Sequence, residues 1–192
     1  MKLTIIAASL ALLASSSAMA SVAQWTTASG GNGHWYEFVN DGSLNWSQSE
    51  TAAASSVYNG LTGYLATITS DEENSFINSL VSGNTVWVGG SDAAQEGVWQ
   101  WVTGPEAGTT FSYTNWEPGE PNNAGDEDYL QMNWAVTNGQ WNDFSDRAWT
   151  SGYVVEYSAP VPEPETYAML LVGLGAMGAG LRRRKAAQQA AI

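Results

Sequence analysis

The segment from Gly104 to Asp128 constrains the fold of this chain more than any other sequence feature. It contains four glycines, three prolines and six acidic residues, a composition that interrupts both helices and strands. Irregular segments longer than about 15 residues are uncommon in compact domains, and those that occur are usually functional. The elements on either side must therefore form a framework that supports one large surface loop.

Apolar patterning around this loop predicts an α+β domain. A helix is predicted at residues 46–58, and short strands at residues 34–39, 64–68, 86–88, 99–102, 129–134, 139–141 and 152–157. Ser70 is followed three residues later by Glu73, the pattern of a capping box in which each side chain bonds the other residue's backbone N–H. A second helix should therefore begin after Ser70. Two early helices followed by short strands are typical of the α+β class.

The N-terminal segment, residues 1–20, has the pattern of a signal peptide. Lys2 precedes an apolar run, and the segment ends in the small residues Ala18-Met19-Ala20, which suit cleavage by signal peptidase. We therefore expect residues 21–158 to form the exported domain.

The C-terminal segment, residues 159–192, has the pattern of a sorting signal. Val161-Pro162-Glu163-Pro164 precedes an apolar run and a basic cluster at residues 182–185. The run is shorter than the roughly 20 residues of a stable membrane span, and its cations favour the cytoplasmic side. This order resembles the PEP-CTERM signal of Gram-negative bacteria. The resemblance implies a membrane-bound precursor whose C-terminal segment inserts transiently into the inner membrane and is processed by an exosortase. It also implies an association with exopolysaccharide. The alternative is a plain membrane anchor.

The charge of the central region limits its partners. One cation, Arg147, and seventeen of the nineteen acids lie between the two terminal segments, which gives this region a formal charge of −16. Nucleic-acid binding requires clustered cations and is not expected. The chain has no cysteine, so thiol chemistry is excluded and the exported domain must be stable without disulfides.

Oxygen-bearing side chains are concentrated in the long loop and directly after Trp141. The loop carries Glu117, Glu120, Asn122, Asp126, Glu127 and Asp128, and Trp141 is followed by Asn142 and Asp143. Calcium takes six to eight oxygen ligands from carboxylates, amide carbonyls and water. These residues therefore indicate a calcium site, and a solvated acidic loop is the simpler alternative.

Four segments together resemble the C-type lectin-like domain. The loop segment 116–128 contains the Glu-Pro-Asn motif at 120–122, and segment 139–143 ends in a Trp-Asn-Asp motif. Segments 86–90 and 63–68 resemble the family's Trp-Ile-Gly and Leu-Ala strands. The resemblance covers about residues 34–157 and implies a C-type lectin-like fold with two helices, short antiparallel strands and a long calcium-binding loop.

This resemblance implies a principal Ca²⁺ site that also binds carbohydrate. Its residues would be Glu120, Asn122, Glu127, Asn142 and Asp143, with a mannose-type sugar as ligand and a cis bond before Pro121. The association of the sorting signal with exopolysaccharide makes a self-made polysaccharide the other expected ligand. An accessory Ca²⁺ site would use Asp92, Glu96, Asn123 and Asp128 beside Glu127, although Asn123 stands where an acid is common.

The chain departs from the family at two half-cystine positions, where it has Tyr129 and Val155. Trp116 and Trp141 could stack on a sugar, but we expect both to lie in the core. The single histidine, His34, is expected to be structural.

Catalysis is not expected. No thiol or Ser–His pair supports nucleophilic chemistry, and a glycine-rich acidic loop is a poor setting for the carboxyl pair of a glycoside hydrolase. The sequence predicts a calcium-dependent carbohydrate-binding protein of the cell surface or extracellular matrix. The alternative is an adhesion or protein-interaction module of the same fold, with calcium structural or absent.

Overall fold

The computed structural model describes residues 22–158. The two terminal segments, which we interpret as a signal peptide and a sorting signal, lie outside the described residues. Within residues 22–158, no helix combines the length and apolar character that crossing a bilayer requires.

Two helices and nine strands follow one another in this region. They are β1 (Val22–Gln24), β2 (Trp35–Val39), α1 (Trp46–Ser55), β3 (Val57–Tyr58), β4 (Leu61–Leu65), α2 (Asp71–Val81), β5 (Val86–Ser91), β6 (Gln100–Trp101), β7 (Tyr129–Met132), β8 (Trp141–Phe144) and β9 (Gly152–Tyr157). A single 3-10 turn at Thr27–Ser29 follows β1. The predicted α+β class is confirmed.

The sheet is built around β9. Its strand order is β1-β2-β9-β5-β7-β8, while β4 also pairs with β9 and β6 pairs with β5. The β5–β9 pairing is parallel, and β9 pairs with β2 and β4 antiparallel. All six residues of β9 are buried, so the strand nearest the C-terminus of the domain is its structural centre.

Several predicted element bounds were wrong. The strands predicted at 86–88, 99–102 and 129–134 span 86–91, 100–101 and 129–132 instead. Three further elements differ, and turn residues explain two of these differences. Helix α1 ends at Ser55 rather than residue 58, because Val57 and Tyr58 pair with β4 across Asn59-Gly60, both of which have positive φ. The strand predicted at 139–141 begins at Trp141 and runs to Phe144, since Gly139 adopts a φ of 86° in the preceding turn. The strand predicted at 64–68 lies at Leu61–Leu65.

The predicted capping box on α2 is half correct. Ser70 Oγ accepts a hydrogen bond from Glu73 N at 3.2 Å, but Glu73 does not return a bond to Ser70. Its carboxylate accepts bonds from Thr69 N and Oγ1 at 2.8 and 2.9 Å instead. The complete capping box lies on α1, between Asn45 and Gln48.

Tryptophan fills the core beside the long loop. Trp141 is fully buried, and its Nε1 donates a hydrogen bond to Asn74 Oδ1 at 2.8 Å. Its ring meets the edges of Trp101 and Trp116 at centroid distances of 6.1 and 5.7 Å. The prediction that Trp141 is a core residue is confirmed, and Trp116 is partly buried against the same cluster.

Apolar contacts occupy the two half-cystine positions. The ring of Tyr129 lies 4.7 Å from that of Trp46, and Val155 is buried in the same cluster. Trp46 Nε1 also donates to Val88 O at 2.8 Å. Packing and hydrogen bonds thus connect α1 with the sheet where the family has covalent links.

A buried polar network joins β2, α2 and β9. His34 Nδ1 lies 2.5 Å from Glu156 Oε1, and Tyr36 Oη donates to Glu73 Oε1 at 2.5 Å. Burial raises the pKa of the Glu156 carboxyl, and the hydrogen bond that His34 Nδ1 donates to Glu156 raises the pKa of the His34 imidazole. His34 therefore has a structural partner, as predicted.

Replacing Glu73 should destabilise the domain much more than replacing its neighbour Glu72. Glu73→Ala removes the acceptor of Thr69, Tyr36 and Asn32, and buried donors left without a partner cost about 1–3 kcal/mol each. We expect the free energy of unfolding to fall by about 2–4 kcal/mol. The exposed Glu72→Ala should cost less than about 1 kcal/mol. Urea denaturation measures both, and equal losses would contradict the assigned role of the network.

Candidate functional site

The long loop is attached to the core along β8. No helix or strand forms between β6 and β7, a stretch that is described throughout. Trp141 N donates to Asn115 O, and Glu117 N donates to Trp141 O, both at 2.8 Å. The loop therefore runs beside the start of β8, with Trp116 at the point of contact.

Asp143 holds the Glu-Pro-Asn segment against β8. Its carboxylate is almost completely buried, and it accepts hydrogen bonds from Asn122 N at 3.1 Å and from Asn123 N at 2.7 Å. The peptide bond between Glu120 and Pro121 is cis, as the resemblance implied. The structure thus brings the two predicted motifs into contact.

A tight turn places Glu127 beside the same segment. Glu127 Oε2 accepts from Ala124 N at 3.0 Å, and Glu127 N donates to Asn123 Oδ1 at 2.7 Å. Ala124 N also donates to Asn122 Oδ1 at 2.8 Å. Positive φ angles at Asn123 and Asp126 allow this turn, and Glu127 is buried although it lies in a polar loop.

Glu120 carries a buried oxygen that has no hydrogen-bond partner. Burial raises the pKa of its carboxyl, and the adjacent Asp143 carboxylate raises it further. Burial also raises the pKa of Glu127, with a smaller contribution from the charge of Asp143. The Asp143 carboxylate thus lies close enough to Glu120 and Glu127 to disfavour the charge of both, and a cation stabilises such an arrangement.

Asn142 completes the predicted group from the buried side. Its Nδ2 donates to Asp143 O at 2.6 Å and to Gln131 Oε1 at 3.3 Å. The sequence analysis missed Gln131, which is fully buried and lies directly opposite Asn142 on β7. A polar side chain within a short apolar strand was the sequence signal that could have marked Gln131 as a site residue. Its pairing with Asn142 depends on the register of β7 against β8, which the sequence does not show.

The predicted accessory residues are only partly brought together. Asp92 N donates to Asp128 O at 3.2 Å, and Asp92 Oδ1 is buried without a partner. Burial raises the pKa of Asp92, and the charge of Asp128 adds to that effect. Glu96 is exposed, while the side-chain oxygen of Asn123 is engaged by Glu127 N.

The donor chemistry of the loop fits a hard cation. Among residues 22–158, no three Asp, Glu or His side chains converge closely enough to hold a metal ion by themselves. The principal group also contains the amide oxygens of Asn122 and Asn142, and oxygen-only donors of this kind suit calcium. The buried oxygens of Glu120 and Asp92, which have no hydrogen-bond partner, fit cations of this kind, one at each group, because burying a carboxylate oxygen without compensation is costly.

The α+β sheet and its single large loop attached to a Trp-Asn-Asp strand define a C-type lectin-like domain. The sequence profile described as "Lectin C-type domain" matches residues 42–154, and a "PEP-CTERM protein-sorting motif" matches residues 160–185. The chain belongs to the C-type lectin domain family and carries this sorting motif. Because this is a family of binding domains, its membership agrees with the prediction that the chain is not an enzyme.

Relatives and solved structures agree with this assignment. Halomucin of Haloquadratum walsbyi is 42% identical over 136 residues, which are 66% of this chain but 1% of that protein. The C-type lectin CEL-I of Cucumaria echinata superimposes with a TM-score of 0.55 at 26% identity, covering 65% of this chain and 90% of that one. The carbohydrate-recognition domain of cow CD23, solved in the presence of a GlcNAc2Man3 oligosaccharide, gives 0.52 at 30% identity, covering 67% and 90%.

Removing the Asp143 carboxylate should release the loop from β8 even in calcium-free buffer. In Asp143→Ala, Asn122 N and Asn123 N lose their acceptors, so we expect their amide hydrogens to exchange at least about tenfold faster. Glu117→Gln is the control and should leave both rates unchanged, because the Glu117 carboxylate accepts a hydrogen bond from Ala135 N and not from Asn122 N or Asn123 N. Amides of β9 report global stability, and faster exchange there to the same extent would show general unfolding instead of loop release.

Proposed function

We propose that this chain is an exported carbohydrate-binding protein whose long loop binds sugar through calcium. The observation that carries the proposal is the buried, unpartnered oxygen of Glu120 beside the carboxylate of Asp143. Membership in the C-type lectin domain family and the oxygen-only donors of the loop support it.

The principal calcium ligands in this proposal are Glu120, Asn122, Glu127, Asn142 and Asp143. A bound calcium ion accepts two neighbouring sugar hydroxyl oxygens into its coordination shell. The carboxylates of Glu120 and Glu127 accept the hydroxyl protons, while the amide group of Asn122 donates to a hydroxyl oxygen. Asn142 donates in the same way only after its Nδ2 releases Gln131 Oε1 or Asp143 O. Each hydroxyl is then fixed from several sides, so the site discriminates between sugars by hydroxyl geometry.

A second calcium ion is proposed at Asp92, Glu96 and Asp128, next to Glu127. The unpartnered oxygen of Asp92 and the effect of Asp128 on its pKa support this accessory site. Asn123 belongs to the same predicted group. Its side-chain oxygen accepts a hydrogen bond from Glu127 N, so it could bind calcium only after this hydrogen bond breaks.

Export and surface attachment complete the proposal. The matched PEP-CTERM motif supports cleavage by an exosortase after transfer across the inner membrane of a Gram-negative bacterium. Residues 1–20 would be removed by signal peptidase, and residues 21–158 would remain at the cell surface or in the extracellular matrix. A mannose-type sugar or the cell's own exopolysaccharide is the proposed ligand.

The alternative is a protein-interaction or adhesion module with calcium structural or absent. One observation favours it: both oxygens of Asp143 already accept backbone hydrogen bonds, so this part of the loop is held without an ion. A glycan screen separates the two functions, because the alternative predicts no sugar binding that depends on calcium.

Calcium should stabilise the protein, and Glu120 should be required for this effect. A ligand that binds only the folded state at 100 times its dissociation constant adds about 2.7 kcal/mol, so we expect the melting temperature to rise by several degrees in millimolar calcium. Glu120→Gln keeps the side-chain shape but removes the charge, and it should weaken calcium binding at least about tenfold. Isothermal titration calorimetry and thermal melts measure the two effects.

Glu117→Gln is the matched control for this experiment. Glu117 lies in the same loop, but its carboxylate accepts a hydrogen bond from Ala135 N and is not among the proposed ligands. Retention on immobilised mannan that is released by chelator supports the sugar function. Calcium stabilisation without retention on any glycan would favour the interaction module, and no stabilisation at millimolar calcium would contradict the calcium site.

The stabilisation by calcium should diminish as the pH falls from 7.5 to 5.5. Burial raises the pKa of Glu120 and Glu127 above the ordinary value of 4.5 in the calcium-free fold. The folded state therefore binds protons more tightly than the unfolded state, so protonation of these groups stabilises the calcium-free domain as the pH decreases. Protons and calcium compete for the same carboxylates. Melts of calcium-stripped and calcium-loaded protein measure the difference, and an equal calcium effect at both pH values would contradict this mechanism.

A further inference from the structure

Two exposed tryptophans form an aromatic surface outside the long loop. Trp149 is 61% exposed and Trp134 is 41% exposed, and both pack against the half-buried Phe144. The plane of Trp149 is nearly perpendicular to those of Trp134 and Phe144, at 88° in each case, with centroid distances of 5.9 and 6.0 Å. We call these three residues the aromatic corner.

The aromatic corner keeps large apolar faces in contact with water. Contiguous exposed apolar surface is uncommon in soluble domains and often marks a binding site. The edge-to-face contacts fix the orientation of the rings, so a ligand would not have to order them on binding. Among residues 22–158, Trp134 and Trp149 are held by their ring contacts with each other and with Phe144, which leave the indole N–H groups available to a ligand.

Hydroxyl groups surround an open cavity beside the aromatic corner. The cavity has a volume of about 340 Å³ and is lined by Thr85, Trp134, Ala148, Trp149, Thr150 and Ser151. Thr150 Oγ1 is buried and has no hydrogen-bond partner. Thr85 Oγ1 donates to Asn133 O at 2.8 Å and keeps its acceptor capacity. The cavity therefore combines flat aromatic faces with hydroxyl donors and acceptors.

The charge around this cavity favours a neutral ligand. None of the lining residues is ionisable. Two charged residues precede Ala148: the Asp146 carboxylate is engaged by Ser47 N and Oγ at 3.2 and 2.7 Å, and the charge of Arg147 acts on Glu127 of the long loop. The strongly acidic domain repels anions. A pyranose ring matches these properties, because its C–H face is apolar and its hydroxyl groups lie around the rim.

The aromatic corner is separate from the calcium-binding residues of the loop. Asp143 and Phe144 are consecutive residues of β8, and successive side chains of a strand point to opposite faces. Phe144 packs against Trp87 and the corner tryptophans, whereas Asp143 bonds the loop. The two surfaces therefore use opposite faces of one strand.

We propose that the aromatic corner and the hydroxyls of Thr85, Thr150 and Ser151 form a second, calcium-independent binding site for a neutral pyranose unit of a polysaccharide. The inference does not require the loop site to function. If both sites bind the same polymer, one domain contacts it at two points, and the second contact raises the avidity.

Affinity electrophoresis of the full chain through gels that contain mannan, dextran or galactan tests this proposal. The runs use calcium-free buffer with chelator, in which the loop site is inactive. We expect retardation by at least one neutral polymer and none by anionic alginate. Trp149→Ala should raise the dissociation constant about fivefold or more, the size of one lost aromatic contact, and Trp149→Phe should recover part of the binding.

Val57→Ala is the matched control, since Val57 is 68% exposed on β3 and lies outside the cavity lining; it should leave the retardation unchanged. Thermal melts of the Trp149 variants report folding independently of binding. The proposal is overturned if no neutral polymer retards the protein without calcium, or if Trp149→Ala binds as well as the original chain. It is also overturned if Trp149→Ala only abolishes self-association, which would identify a protein-docking surface.

Discussion

The register of β8 against β7 is the constraint on which the rest of this structure depends. Trp141 pairs with Met132 and Asp143 with Leu130, so Trp141 enters the core while Asp143 lies where it can bond the loop. A shift by one residue would exchange the two faces of β8. Asp143 would then lose Asn122 N and Asn123 N, and Phe144 would leave Trp134 and Trp149. One pairing therefore positions the loop site and the aromatic corner together.

Stability without disulfides comes from distributed contacts in this domain. Tyr129 packs against Trp46, Val155 is buried beside them, and the carboxylates of Glu73 and Glu156 connect distant elements through buried hydrogen bonds. No Lys or Arg side chain is among the hydrogen-bond donors to either carboxylate. Backbone and hydroxyl donors, together with the side chains of His34 and Asn32, compensate these acids instead. This is possible because each carboxylate is bonded by several donors at once.

The acids in and beside the long loop are compensated less completely. Asp143 and Glu127 accept backbone hydrogen bonds, whereas Glu120 and Asp92 each retain a buried oxygen without a partner. The fold therefore supplies enough hydrogen bonds to shape the loop and leaves unsatisfied charge at the places where a cation is proposed. Binding and loop order are linked in such an arrangement, since the same side chains serve both.

Local patterns in the sequence determined the types of the longer elements, the N-cap of α2 and the identity of the loop, but they missed the short strands β1 and β3. The Glu-Pro-Asn and Trp-Asn-Asp motifs also named the residues that meet around Asp143, through a resemblance rather than through spacing. Tertiary structure alone decided the partners of Glu73, the pairing of Asn142 with Gln131, and the meeting of Trp134 with Trp149. Capping and hydrophobic periodicity depend on residues that are only a few positions apart in the sequence. The contacts that the sequence did not predict depend on which strands pair and in which register.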